Sequence, residues 1–195
     1  MNPIDPWYEV VPAKESLTQG DLILRCPLLT WAIKNAAALP ADNEAALAGL
    51  ARGFRADVVV MTQACDLEHG KVSNVVLCPH LTLSAYRTQW EQKMREIGQN
   101  PTDKSWRRLC DDIAAGYVWN QAILAGWNSE GMTSEPRLVD FHEVFTLPRA
   151  FLESLLSARN ETRLRLRPPY REHLSQAFAR FFMRVGLPTP VEKSW

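Results

Sequence analysis

Two thiols and two imidazoles fall within sixteen residues, in Cys65-Asp66-Leu67-Glu68-His69 and Cys78-Pro79-His80. A set of two Cys and two His suits tetrahedral zinc, although C-x3-H-x8-C-x-H is not the spacing of a standard finger. The plainer alternative is two core thiols with loop histidines, and no metal is assigned. Cys65 alone, just past an apolar run, has the placement of a nucleophile with His69 or His80 as base. Its neighbours Thr62, Gln63 and Asp66 would form with it a polar site at a strand end, unless Asp66 simply caps the following turn.

A third group is cationic. In Arg163-Leu164-Arg165-Leu166-Arg167, strict alternation places three guanidiniums on one face of a strand, spaced about 6.6–6.8 Å apart. With Arg171, and with Tyr170 available for stacking, they could follow a single-stranded RNA backbone. The same pattern equally describes an edge strand protected by charge.

Elements must position these groups. Gly20-Asp21 reads as a turn and Leu22–Cys26 as a strand ended by Pro27, whereas Leu28–Leu39 is ambiguous between helix and strand. Residues 40–52 read as a loop with a turn or two of helix. Asp57–Gln63 is the clearest strand, its continuous β-branched run being that of a strand buried on both faces. Val72–Leu77 returns beside it and Pro79 stops it. Residues 81–115 form a helical insertion, broken at Gly98–Pro101. Tyr117–Leu124 and Arg137–Leu147 are strand-like, Trp127–Pro136 reads as a loop, and Arg149–Ala158 as a short helix. An amphipathic helix is expected over 168–187, with Leu174, Ala177, Phe178, Phe181, Phe182 and Val185 on one face to pack on the sheet. These elements imply an α+β domain around a small antiparallel sheet or barrel, with residues 1–195 as one domain.

Composition narrows the function classes. The 195 residues are 46% hydrophobic, with 22 basic and 22 acidic side chains, an ordinary globular balance that gives no global attraction to nucleic acid. Charge is nonetheless uneven. Residues 1–70 carry five Lys and Arg against nine acids, and residues 149–184 carry eight Arg against three Glu. The acidic end could attract the basic end within one chain or across a dimer, or the basic end could meet a polyanion. Four scattered cysteines without a CxxC pair, and a start lacking a signal-like apolar segment, imply a cytoplasmic protein. No apolar run approaches the length of a membrane span. No Walker A loop, GxGxxG or HExxH occurs, so no cofactor is implied.

The order QGDLIL, GFRADVVVMTQ, NVVLCPHLT and RLVDFHEV resembles the MazF/PemK family of small β-barrel toxins. The matching residues are Gly20-Asp21, Gly53 with Arg55, Val58-Val59-Val60, Asn74–Thr82 and Val139-Asp140. They cover about a third of the chain. Ala56 stands where the family has proline, and the insertion after Thr82 makes the chain nearly twice the usual length. The resemblance implies a MazF/PemK-like barrel of a toxin–antitoxin or phage-defence system. It also implies metal-independent cleavage of single-stranded RNA by Arg55 and Thr82, a homodimer, and an antitoxin or other protein partner. A guanidinium can stabilise charge on a phosphate in flight, and a hydroxyl can hold the phosphate. Read without the resemblance, Arg55 is a surface residue at a strand start and Thr82 a helix N-cap. Relatives of this family also act without nuclease activity, so a non-catalytic module binding a protein partner is the alternative.

Overall fold

The computed structural model describes residues 7–32, 44–129 and 132–183. In chain order the first elements are β1 (Tyr8–Val11), β2 (Leu22–Trp31), α1 (Glu44–Leu50), β3 (Ala51–Val60), α2 (Ala64–Glu68) and β4 (Asn74–Thr82). The insertion follows as α3 (Leu83–Glu96) and α4 (Asp103–Ala114). Then come β5 (Gln121–Leu124), β6 (Trp127–Ser129), β7 (Met132–Ser134), β8 (Arg137–Asp140) and β9 (Phe145–Pro148). The chain closes with α5 (Arg149–Arg159), β10 (Arg163–Leu166) and α6 (Tyr170–Phe182).

The central sheet is antiparallel, in the order β2-β3-β4-β8-β5, with β9 also pairing β4. β1 pairs β10, and β6 pairs β7 as a hairpin. The fold is therefore α+β and mostly antiparallel, but among the described residues β2 and β5 remain open ends and the sheet does not close into a barrel.

The β-branched run of β3 is buried on both faces, and side chains alternate between them. Val59 and Met61 face one core with Cys78, Leu124 and Val139, under Leu174, Phe178 and Phe181 of α6 and Leu164 and Leu166 of β10. Val58 and Val60 face the other core with Ile23, Val75 and Leu77, under Leu152 and Leu156 of α5. The C-terminal helix packs on the sheet through Leu174, Ala177, Phe178 and Phe181, but Phe182, expected on the same face, is 62% exposed, and residues 184–187 lie outside the described ones. The insertion packs against the β5 side of the sheet, with Trp106 and Ile113 of α4 buried.

Several boundaries differ from the sequence expectation. Pro27 does not end β2, because β2 is an edge strand and no neighbour needs the missing N–H. Pro79 does not end β4. Along one side of β4, β9 reaches only to Leu77 and β8 begins at His80, so Pro79 falls where no partner strand stands. The expected strand 137–147 is accordingly two strands, and the expected loop 127–136 holds the β6–β7 hairpin. The ambiguous 28–39 segment is strand as far as Trp31, and 33–39 lies outside the described residues.

Candidate functional site

The register of three strands gathers polar residues at one end of the sheet. Asp57 lies opposite His80 across β3 and β4, and Thr82 opposite Arg137 across β4 and β8. The β3–β4 ladder ends at the Asp57–His80 pair, and Arg55 and Thr82 lie two residues beyond it on their strands. Opposed residues in an antiparallel pair share a face, so Arg55, Asp57, His80, Thr82 and Arg137 share one.

Arg137 ties this group together. Its Nη1 donates to Asp57 Oδ2 at 2.7 Å and to His80 Nδ1 at 3.0 Å, and its Nε donates to Ser134 Oγ at 3.0 Å. His80 Nδ1 is therefore an acceptor and the imidazole proton sits on Nε2, which is buried and, among the described residues, meets no hydrogen-bond acceptor at good geometry. Burial, and after it the Arg137 charge, pushes His80 down to about 3. Burial acts to raise Asp57. The Arg25 backbone N–H, donating to Oδ1 at 2.8 Å, and the Arg137 guanidinium outweigh it, and its carboxyl lies below the ordinary range. At neutral pH the group is a carboxylate–guanidinium pair with a neutral histidine behind it. It fixes β3, β4, β8 and the bulge of β2 at Arg25, where the β2–β3 register shifts.

The two residues singled out for RNA cleavage stand beside this network. Arg55 is exposed and its Nη1 donates to the Arg25 carbonyl at 3.2 Å. Thr82 is the N-cap of α3, its Oγ1 accepting the Ala85 N–H at 3.2 Å and lying 3.1 Å from Ser84 Oγ. The exposed Glu135 carboxyl sits against the same cap. Its pKa is held below the ordinary range by the Ser84 hydroxyl first, with Thr82 contributing. A carboxylate beside Thr82 opposes an approaching phosphate.

The arginine stripe divides. Arg163 and Arg165 are buried and close on Asp21, which is 0% exposed. Arg163 Nε lies 2.9 Å from Asp21 Oδ2 and Arg165 Nε 2.5 Å from Oδ1. Their η-nitrogens donate to the carbonyls of Pro12, Glu15 and Ser16. The polar face of β10 is thus covered by the chain before β2, not by solvent. The acidic and basic ends of the sequence meet within one chain. Arg171 pairs with Glu172 at 2.7 Å, and Arg167 alone of the four is exposed.

Three residues of the expected strand-end site line one open depression of about 420 Å³, namely Thr62, Gln63 and Asp66, with Gln19, Asn74 and Ser175. Thr62 Oγ1 accepts the Val76 N–H at 2.7 Å, and Gln19 Nε2 donates to Ser175 Oγ at 2.6 Å. Cys65 is exposed on α2, and its sulfur contacts Gln63 Oε1 and Asp66 Oδ1 at 3.7 and 3.8 Å rather than a histidine. Cys78 is buried in the core, and burial pushes its thiol up to about 12. His80 is spent on Arg137 and His69 is exposed. Among the described residues no three His, Cys, Asp or Glu converge to hold a metal, so Cys65, His69, Cys78 and His80 are not brought together. None of the described helices is long and apolar enough to cross a membrane.

Sequence reasoning missed Asp21, Asp57 and Arg137 as a set. The available signal was an acid just before each of two apolar runs, Asp21 before Leu22 and Asp57 before Val58. An acid entering a two-sided core needs a buried cation.

No protein-family model matches the chain, no curated protein matches it, and no solved structure matches its fold.

Proposed function

We propose that this protein is a MazF/PemK-like module of a defence or stress-response system that works by holding an acidic protein partner, such as an antitoxin. The observation that carries the reading is the outer ribbon of β2 and β3. Leu29 is 68% and Trp31 56% exposed there, opposite the small residues Gly53 and Ala51. Arg25, Arg52 and Arg55 are exposed on the same two strands. From Cys26 to Trp31, β2 is a sheet edge with no further strand beside it among the described residues. An extended acidic segment with apolar anchors could add to that edge, its main chain pairing with β2 and its side chains meeting Leu29, Trp31 and the arginines.

The test is recovery of the partner with tagged protein from its native cells. The Leu29→Asp, Trp31→Asp double variant is expected to lose it, while Thr82→Ala keeps it. Retention by the double variant would sink the reading. A homodimer through the same edge is the competing result, and sedimentation of wild type and variant separates the two.

A second reading, the metal-independent endoribonuclease, is supported by Arg55 and Thr82 each lying two residues beyond the Asp57–His80 pair on the neighbouring strands β3 and β4. It requires purified protein to cut a long mixed-sequence RNA in EDTA, with the cuts absent in Arg55→Ala. Intact RNA would leave the binding module alone.

A further inference from the structure

The β2 bulge, α5, β10 and the β6–β7 hairpin enclose a cavity of about 110 Å³, distinct from the ribbon edge and from the strand-end depression. Its walls divide by chemistry. Leu22, Leu24, Leu156 and Leu164 supply an apolar side. Arg137, Arg159 and Arg163 supply the other, with hydroxyls from Ser134 and Thr162.

The three guanidiniums are not equivalent. Arg137 is neutralised by Asp57, and Arg163 shares Asp21 with Arg165, which also pairs with Glu9, so the two guanidiniums are balanced by two carboxylates. Among the described residues Arg159 meets main-chain oxygens and no carboxylate, donating from Nη1 to the Leu24 carbonyl at 2.6 Å and from Nη2 to the Arg25 carbonyl at 2.7 Å. Those bonds hold the guanidinium at the cavity but leave its charge without a carboxylate. Glu161, the one acid on the lining, is exposed at the rim, where water screens it. The wall therefore presents one uncompensated positive charge beside leucines. A guanidinium in that position pairs best with a planar carboxylate. A phosphate dianion would need a second free cation. The volume, room for about three or four waters, admits a head group and a short chain only.

We infer that this cavity binds a small aliphatic monocarboxylate, its carboxylate on Arg159 and its chain against the leucines.

Calorimetric titration of the full chain with butyrate tests this, with butyramide and inorganic phosphate as the comparison ligands. Butyrate is expected to bind at one site per chain and butyramide about tenfold or more weaker, as loss of a charge-assisted contact implies. Arg159→Met should weaken butyrate by a similar factor. Because that change also removes two bonds to the β2 bulge, Thr162→Glu serves as the second variant. Position 162 is exposed on the lining, so a carboxylate there should repel the ligand with the unfolding midpoint unchanged. Equal binding of butyramide and butyrate, saturation by phosphate but not butyrate, no saturable binding, or unaltered binding by Thr162→Glu would each overturn the assignment.

Discussion

Arg165 places its Nε 2.5 Å from Oδ1 of Asp21, joining residues 144 positions apart in the chain. Arg163 approaches the other oxygen of the same carboxylate, and an isolated bridge pairs the Asp21 and Arg165 backbones. One fully buried acid thus fastens the β1–β10 ribbon to the start of β2. Removing it leaves two buried guanidiniums with the half-exposed Glu9, 3.9 Å from Arg165, as their remaining counter-charge. Asp21→Ala is expected to destabilise by about 3–5 kcal/mol, read from urea unfolding. In a double-mutant cycle with Arg165→Met, the double variant should lose less than the sum of the singles. Additive losses would show that the pair is not coupled.

Gly20 precedes that acid and is needed for its backbone. Its φ is +84°, and an added Cβ would come 3.0 Å from Leu166 Cβ and 3.3 Å from the Leu166 carbonyl oxygen. Gly20 also donates its N–H to the Val60 carbonyl and accepts the Leu166 N–H, so it cannot move aside without breaking both contacts. Gly20→Ala should cost about 1–3 kcal/mol by thermal or urea unfolding. An unchanged midpoint would mean the turn relaxes freely. The Gly-Asp pair that carries part of the family resemblance therefore has a sufficient structural reason here.

These two residues show what the sequence made legible. Apolar patterns report which face is buried, so residues 57–60 of β3 were readable from their continuous β-branched run, and the helical insertion, β10 and α6 from their alternation and helical spacing, while residues 51–56 of β3 were not. The same patterns cannot report what covers a polar face. The alternation of Arg163-Leu164-Arg165 is real, yet its arginine face is sealed by residues 12–16 and Asp21 instead of water. Pro27 and Pro79 misled for a related reason. Whether a missing N–H stops a strand depends on what lies beside it, and an open edge and a gap between β9 and β8 are tertiary facts. At the candidate site, Thr82 as an N-cap was readable from Thr-Leu-Ser-Ala, while the Arg137–Asp57–His80 network rests on register between strands 57 positions apart in sequence at His80 and Arg137.

His80 makes stability depend on pH in a definite direction. Its folded value is pushed down to about 3 from an ordinary 6.5, so between those values the unfolded chain binds a proton that the folded chain does not. Stability from this group is complete above about pH 6.5 and falls as pH drops below it, by at most about 1.4 kcal/mol per pH unit. Unfolding free energy should decline by about 1–2 kcal/mol between pH 7 and 5 in the wild type. That window lies above the range in which Asp57 is protonated. His80→Asn should flatten the decline, and an equally steep slope in the variant would assign it to other groups.

The cysteines should separate by reactivity. Cys65 is exposed, whereas Cys26 and Cys78 are fully buried. Burial pushes their thiols up to about 11 and about 12, leaving little thiolate to react. One thiol per chain is expected to react promptly with a maleimide under native conditions and to map to Cys65. Cys110, partly exposed and with its thiol raised first by burial, should follow more slowly. Cys26 and Cys78 should react only at the rate of unfolding. Prompt native labelling of Cys78 would contradict its place in the core.

Thr82 separates a structural role from a catalytic one. Its oxygen accepts the Ala85 N–H and so satisfies one of the free donors at the start of α3, the helix that opens the insertion. Thr82→Ala should cost about 1 kcal/mol and Thr82→Ser much less, because serine caps as well as threonine. If capping is its only task, Thr82→Ala changes unfolding while leaving both partner recovery and the RNA in EDTA as they are in the wild type. If the hydroxyl holds a scissile phosphate, cleavage disappears in Thr82→Ala at temperatures where the variant is still folded by circular dichroism, and Thr82→Ser restores it. The carboxylate of Glu135 at the same cap sharpens the comparison. Glu135→Gln removes a repulsive charge, so it should raise cleavage if a phosphate binds there and leave partner recovery untouched if none does.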